Sequence, residues 1–205
     1  MKLSKLSIFA SAYAAALVLS LAPLSAATVD FAAGTAAGGT VAGGPSYTTS
    51  ALATGILNGG GAVVTKTVNG LGVNGMPDSN PNQIDGSPIG SAETLTITFS
   101  WAVKLLSISM GLIDSNDDME WSVNNGSWTT VGSTIPASIL IGLNNVTSFS
   151  VRAKGTFWQD GFILGNDDFT LKSANISPVP LPAAGLLLVA GLGGLAALRR
   201  KRKAA

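Results

Sequence analysis

Alternating apolar and polar residues dominate the chain between residues 28 and 178, and this pattern predicts β-strands. In residues 93–99, ETLTITF, the Leu, Ile and Phe side chains fall on one face and the polar side chains on the other, as in a half-buried antiparallel strand. Similar short runs, bounded by Gly, Pro, Asn or Asp, predict strands at 29–33, 47–52, 62–68, 105–110, 119–123, 128–131, 137–141, 148–153 and 169–172.

A tight hairpin is predicted between two of these strands. Asn125-Gly126 is a preferred pair for a type I′ turn, which needs positive φ at both central positions. Counting outward from that turn pairs Val123 with Trp128 and puts Trp121 on the same face. The expected register of the hairpin follows from the turn alone.

Nine or ten short strands in one domain favour an all-β fold, an antiparallel two-sheet β-sandwich of jelly-roll type. We expect a loop over residues 32–45, turns at the glycines of residues 70–75, and a short linker over 173–178. The chain has no Cys, so the hydrophobic core alone must hold this fold.

The N-terminus has the three parts of a secretory signal peptide, which we assign to residues 1–27. Two lysines precede an apolar stretch, and small residues follow Pro23. The small side chains of Ser25 and Ala27 predict cleavage after Ala27, with cleavage after Ala26 as the second choice. An uncleaved N-terminal anchor is the alternative.

The C-terminus contains a second apolar segment. Residues 183–198 carry no charge and are followed by a basic cluster, Arg199, Arg200, Lys201, Arg202 and Lys203. Sixteen helical residues span about 24 Å, which can just cross a bilayer. The positive-inside rule keeps the basic cluster in the cytoplasm, so the strand-rich domain of residues 28–178 faces outward.

The short motif before this segment, Val179, Pro180, Leu181, Pro182 and Ala183, makes the last 27 residues resemble the PEP-CTERM sorting signals, in the VPLPA-CTERM variant. The resemblance implies a Gram-negative host and an exosortase that recognises the tail and removes it by a cut near residues 179–183, while the signal peptide predicts export by the secretion machinery and signal peptidase. Prolines disfavour helix, so the motif should stay extended just outside the membrane. A plain C-terminal anchor is the alternative.

Charge and composition exclude several function classes. Residues 28–178 contain all 11 acidic residues and five of the 12 basic ones, a net charge of −6, which disfavours nucleic-acid binding. The chain has no His and no Cys, which removes Ser-His-Asp triads, thiolate nucleophiles and His-bearing zinc sites. We therefore expect no enzyme and no required cofactor.

Calcium is the one metal that the sequence suggests. Asp114, Asn116 and Asp118 place oxygen ligands at every second position, as at the start of a calcium loop. Asp30 from the first strand and Asp168 near the last strand form a second candidate set. The alternative is that residues 114–118 make a solvated turn.

The expected function is that of a non-catalytic cell-surface or extracellular matrix protein, associated with exopolysaccharide or biofilm. A carbohydrate-binding module, in which Ca²⁺ could act as a structural support, is the alternative. Trp158, beside Gln159-Asp160-Gly161 in an expected loop, is the candidate for stacking on a sugar ring. A hydrolase or lyase is a third hypothesis, which the two glutamates of the chain make weak.

Overall fold

The computed structural model describes residues 25–55, 61–75, 81–86, 91–115, 117–132, 136–154 and 167–179, and these residues form an antiparallel all-β structure. This confirms the predicted fold class at the level of an antiparallel β protein. Eleven strands are present: β1 (Ala27–Asp30), β2 (Gly38–Thr40), β3 (Ser46–Gly55), β4 (Val63–Thr67), β5 (Gly70–Asn74), β6 (Ile84–Gly86), β7 (Ser91–Gly111), β8 (Met119–Val123), β9 (Thr129–Val131), β10 (Ser138–Ala153) and β11 (Asp167–Pro178).

The strands form one connected sheet whose main path runs β4-β5-β11-β6-β7-β10-β8-β9. Off this path, β1 pairs with β11, β2 with β3, and β3 with β7. Every pair is antiparallel. Among the described residues, no helix is long and apolar enough to cross a bilayer.

Strand β7 is long because two predicted strands join into one. Its first half pairs with β3, where Tyr47 lies opposite Phe99, and its second half pairs with β11, where Pro178 lies opposite Val103. The partner on this side therefore changes near Trp101. On its other side β7 pairs with β10, which likewise merges two predicted strands.

The core is a single cluster of buried side chains to which most strands contribute. On β7 the alternation predicted from sequence holds: Leu95 and Ile97 are fully buried, while Thr94 and Thr96 are only partly buried. The largest fully buried side chains include Phe31, Phe149 and Phe169. The ladders and this core hold the fold without any disulfide.

The sequence pattern missed three short strands, β2, β5 and β6, and two segments that were expected to be irregular contain strand. The expected loop at 32–45 contains β2, and the expected linker at 173–178 is the second half of β11. The glycines predicted to form turns at 70–75 lie mostly in β5 instead. A Cβ on Gly72 would lie 2.0 Å from the carbonyl oxygen of Asn82, so glycine is needed there for close backbone approach.

The predicted hairpin is present, but its register is wrong. The two residues with positive φ are Asn124 and Asn125, at 50° and 56°, and the amide of Gly126 donates to the carbonyl of Val123 at 2.8 Å. The ladder then pairs Trp121 with Thr129. Asparagine tolerates this backbone conformation well, so the turn forms one residue earlier than the Asn-Gly pair predicts.

We expect Gly72→Ala to destabilise the domain by about 3 kcal/mol, because the added methyl group would force β5 away from the backbone at residue 82. Gly132→Ala is the matched control, since a Cβ there would meet nothing within 4 Å. Denaturant unfolding of residues 28–178, followed by circular dichroism, measures both variants. Equal stabilities for the two would contradict the close-approach explanation.

Candidate functional site

The sorting motif begins where the last strand ends. Pro178 is the last residue of β11, opposite Val103 on β7, and Val179 follows it directly. On the other side of β11, Ala27 lies opposite Ile176. The predicted signal-cleavage residue and the start of the predicted motif are thus neighbours at one end of the sheet.

The remaining parts of both predicted signals lie outside the described residues. These are residues 1–24 of the signal peptide, Pro180 to Ala183 of the motif, the apolar segment 183–198 and the basic cluster at 199–203. The assignments made from sequence for these segments stay predictions.

A group of carboxylates lies at the other end of β11. We call Asp85, Glu93, Asp117, Asp118, Asp167 and Asp168 the acidic end. All of them except Asp168 are buried. Because Asp168 and Pro178 are ten residues apart on one strand, the acidic end lies roughly 33 Å from the start of the motif.

Hydrogen bonds between backbone amides and carboxylates connect the loop between β7 and β8 to the start of β11. The two carboxylate oxygens of Asp117 accept the amide of Asp114 at 2.6 Å and that of Asp168 at 3.1 Å. The amide of Asp118 donates to the carboxylate of Asp167 at 3.1 Å. These bonds replace water around buried charge, and they fix the loop against β11.

Glu93 supports the same region from the start of β7. Its carboxylate accepts the amide of Gly75 at 2.6 Å and that of Asp85 at 3.0 Å. Asp85 in turn lies opposite Asp168 in the ladder between β6 and β11. The sequence pattern placed Glu93 in a strand but did not reveal this role, because its partners lie directly after β5 and in β6, two short strands that the pattern missed.

The predicted calcium ligands are only partly brought together. Asp114, Asp118 and Asp168 lie in or beside the acidic end, and Asn116 lies outside the described residues. Asp30 is opposite Ser173 on β11, five residues or roughly 17 Å along the strand from Asp168. Asp30 instead accepts the amides of Ala32 and Ala33 in the turn after β1.

Within the described part of the chain, no group of His, Cys, Asp or Glu side chains is arranged to hold a metal ion. The acidic end does, however, perturb the pKa of one of its carboxylates. Burial raises the pKa of Asp117 from 3.8 to about 6. The two backbone amides that donate to it oppose this rise, and the nearby carboxylates of Asp114 and Asp168 add to it. Asp117 was not among the ligands predicted from sequence, although it is the most buried acid of its loop.

The tryptophans have different environments. Trp121 packs against the core, and the guanidinium carbon of Arg152 lies 4.1 Å from the centre of the Trp128 ring. Trp101 is 50% exposed. Trp158, the predicted sugar-stacking residue, lies outside the described residues.

Arg152 also forms an ion pair across the sheet with Glu120, at 2.7 Å from its Nε atom. Burial tends to raise the pKa of Glu120, but bonds from Arg152 and Thr130 outweigh it and hold the pKa below its ordinary value. Through Glu120, these bonds connect side chains of β8, β9 and β10.

A cavity of about 350 Å³ lies between the turn after β1 and strands β2 and β3. Asp30, Thr35 and Tyr47 are among the residues that line it. The Tyr47 side chain is almost buried, and burial, together with the charge of Asp30, raises its pKa. The cavity therefore offers hydroxyl groups and a carboxylate to a small polar molecule.

Compared with family models, curated proteins and solved structures, the chain matches none. Among the described residues, the carboxylates bound to backbone amides stabilise loops and strand ends, and the first and last strands, β1 and β11, lie side by side.

We expect the stability of the domain to fall as the pH rises from 4 to 6, partly through Asp117. The folded state binds a proton on this carboxylate up to about pH 6, whereas the unfolded chain releases it near 3.8, so the stabilisation is complete at low pH and is lost as the pH rises through 6. The effect is about 3 kcal/mol, since the folded and unfolded states differ slightly more than a hundredfold in proton affinity and each tenfold difference corresponds to about 1.4 kcal/mol. Unfolding free energies of wild type and Asp117→Asn across this pH range measure it.

Asp117→Asn removes this contribution and flattens the pH dependence. Asp30→Asn is the control. Asp30 is exposed and lies opposite Ser173 on β11, far from the start of that strand, where Asp117 is bonded to Asp168. The same slope in wild type and Asp117→Asn would contradict the assignment.

The calcium hypothesis predicts that calcium raises the melting temperature of residues 28–178. A cation bound only by the folded state adds about 2.7 kcal/mol at a hundredfold excess over its Kd, which corresponds to several degrees. Because the carboxylates of Asp118 and Asp168 both belong to the acidic end, alanine at either position should abolish the shift, and Asp30→Ala, at a position roughly 17 Å along β11 from Asp168, should leave it unchanged. Melting curves that superimpose with calcium and with chelator would refute the hypothesis.

Proposed function

We propose that this chain is an exported substrate of an exosortase-type sorting enzyme, and that it serves as a non-catalytic cell-surface or matrix protein. The observation that carries the proposal is the end of β11. This strand is paired up to Pro178, so the chain leaves the sheet at the first residue of the motif. A folded domain and a cleavable tail are thus joined at one defined position.

The position of the N-terminus supports the same topology. Ala27 lies opposite Ile176, and paired strands are about 4.8 Å apart, so the signal peptide and the tail leave the sheet from the same end. An N-terminal signal peptide ends on the outer side of the membrane, and the positive-inside rule puts the start of the tail there too. Both segments can therefore occupy one membrane while the strands between them pair outside it.

The proposed non-catalytic role is supported by how the carboxylates are used. At least two acids of the acidic end accept two backbone amides each, and Glu120 is paired with Arg152. Groups held in this way stabilise loops and strand ends. Association with exopolysaccharide or biofilm follows only from the resemblance of the tail to known sorting signals.

We further propose that the sheet is folded into the two facing layers of a jelly-roll sandwich. The support is that β3 approaches β4, and β10 approaches β6, although no ladder joins these strands. Long strands that change partner midway, as β7 does near Trp101, are a feature of sheets that bend over a shared core.

A carbohydrate-binding module is the second candidate, and one observation favours it. The cavity beside Asp30 and Tyr47 is large enough for a single sugar ring and presents a carboxylate and hydroxyl groups. Calcium, if it binds at the acidic end, would act there as structural support, because the cavity and Asp168 are far apart along β11.

Processing tests the main proposal. We expect the surface product from the native host to begin at Thr28 and to lack the apolar tail, through a cut near residues 179–183. Replacing both Pro180 and Pro182 by alanine should leave the tail attached, because the motif can then join the helix that follows. Pro178→Ala, one residue before the motif, is the matched control and should still be processed.

Intact mass and terminal peptides measure these outcomes. A surface product that still contains residues 184–199 would refute the sorting proposal and leave a plain anchor.

A further inference from the structure

One large aromatic side chain is left half exposed where three segments of the fold meet. Trp101 lies on β7 between the residues that pair with β3 and those that pair with β11, and it is 50% exposed. The start of β3 is held at the same place, since the amide of Ser46 donates to the hydroxyl of Ser100 at 3.1 Å. Trp101 thus lies beside the end of β11, where the motif begins.

We call residues 25–27, 100–104 and 176–179 the Trp101 end. These segments contain no Asp or Glu, and their one charged side chain is Lys104, opposite Ser177 on β11. The acidic end lies roughly 33 Å away along β11. The carboxylates of the acidic end are therefore distant from the end of the sheet at which β1 begins and β11 ends.

The chain beyond the sheet limits how far this end can move from a membrane. Four residues, 179–182, separate Pro178 from the apolar segment 183–198. Fully extended, they span at most about 14 Å. The interfacial region on each side of a bilayer is roughly 5 to 8 Å thick, so the Trp101 end is held at or just above the headgroups.

We propose that the Trp101 end is a membrane-contact surface, on which Trp101 enters the lipid interface and Lys104 faces headgroup phosphates while the tail is still attached. This inference rests on the proposed function, because it needs the tail in the membrane. Tryptophan is enriched at the membrane interface, where its apolar ring and its N–H group are both satisfied. Lys104, three residues along β7 from Trp101, favours an anionic lipid surface, and the distant acidic end avoids repulsion from it.

Two single-tryptophan variants of the full chain test the proposal. One keeps only Trp101, with Trp121, Trp128 and Trp158 replaced by Phe. The other keeps only Trp121, which packs against the core, and is the matched control. Each chain is inserted into vesicles of phosphatidylcholine and phosphatidylglycerol, with and without lipids brominated close to the glycerol backbone, and its emission is recorded.

We expect brominated lipid to quench most of the Trp101 emission and to leave Trp121 emission unchanged. Trp101→Phe in the otherwise unchanged chain should remove most of the quenching seen in wild type, which makes the result independent of how well the triple variants fold. Lys104→Glu should reduce the quenching of Trp101.

The outcomes separate this inference from the function on which it rests. Chains that float with the vesicles but show no quenching of Trp101, or equal quenching of Trp101 and Trp121, would overturn the membrane-contact surface and leave the sorting proposal intact. Wild-type quenching that survives Trp101→Phe would do the same. Chains that fail to float would overturn the anchored tail and this inference together.

Discussion

The pairing of β11 is the constraint on which the rest of the structure depends. This strand pairs with β7 from Thr170 to Pro178, with β1 on the opposite edge, and with β5 and β6 near its start. It thereby joins the first strand of the domain to the last, with Thr28 and Asn175 bonded across 147 positions of sequence. With no disulfide available, these backbone ladders and the core beneath them hold β1 and β11 in place.

Burying acids at the start of β11 is partly compensated, because several of their carboxylates accept hydrogen bonds from nearby donors. Backbone amides from four separate segments donate to the carboxylates of Glu93, Asp117 and Asp167, and Gln83 donates to Asp168 at 2.9 Å. The raised pKa of Asp117 shows that this compensation is incomplete, since burial outweighs the two amides. The acidic end therefore fixes loop geometry at a cost that grows when its carboxylates are ionised.

Sequence patterns predicted the elements whose signal is local. Strand β8 has the predicted bounds of 119–123, and the alternation of residues 93–99 gives the buried face of β7 correctly. The short strand β5 was missed because Gly70 and Gly72 there allow close backbone approach, which no periodicity reports. Strand β6 has only three residues, too few to show an alternating pattern. The acidic end was seen only as two separate clusters, because its unity depends on ladders between distant strands.

The order of the strands also couples folding to the proposed export. Strands β1 and β7 await partners on β11, which is the last strand of the chain to leave the secretion machinery, and contacts of such long sequence separation form late. In the proposed topology the domain can complete its sheet only after Pro178 has emerged, when the apolar tail is already entering the membrane. The sheet would then close with both chain ends at the bilayer, so that the folded domain and the motif reach the sorting enzyme as one unit.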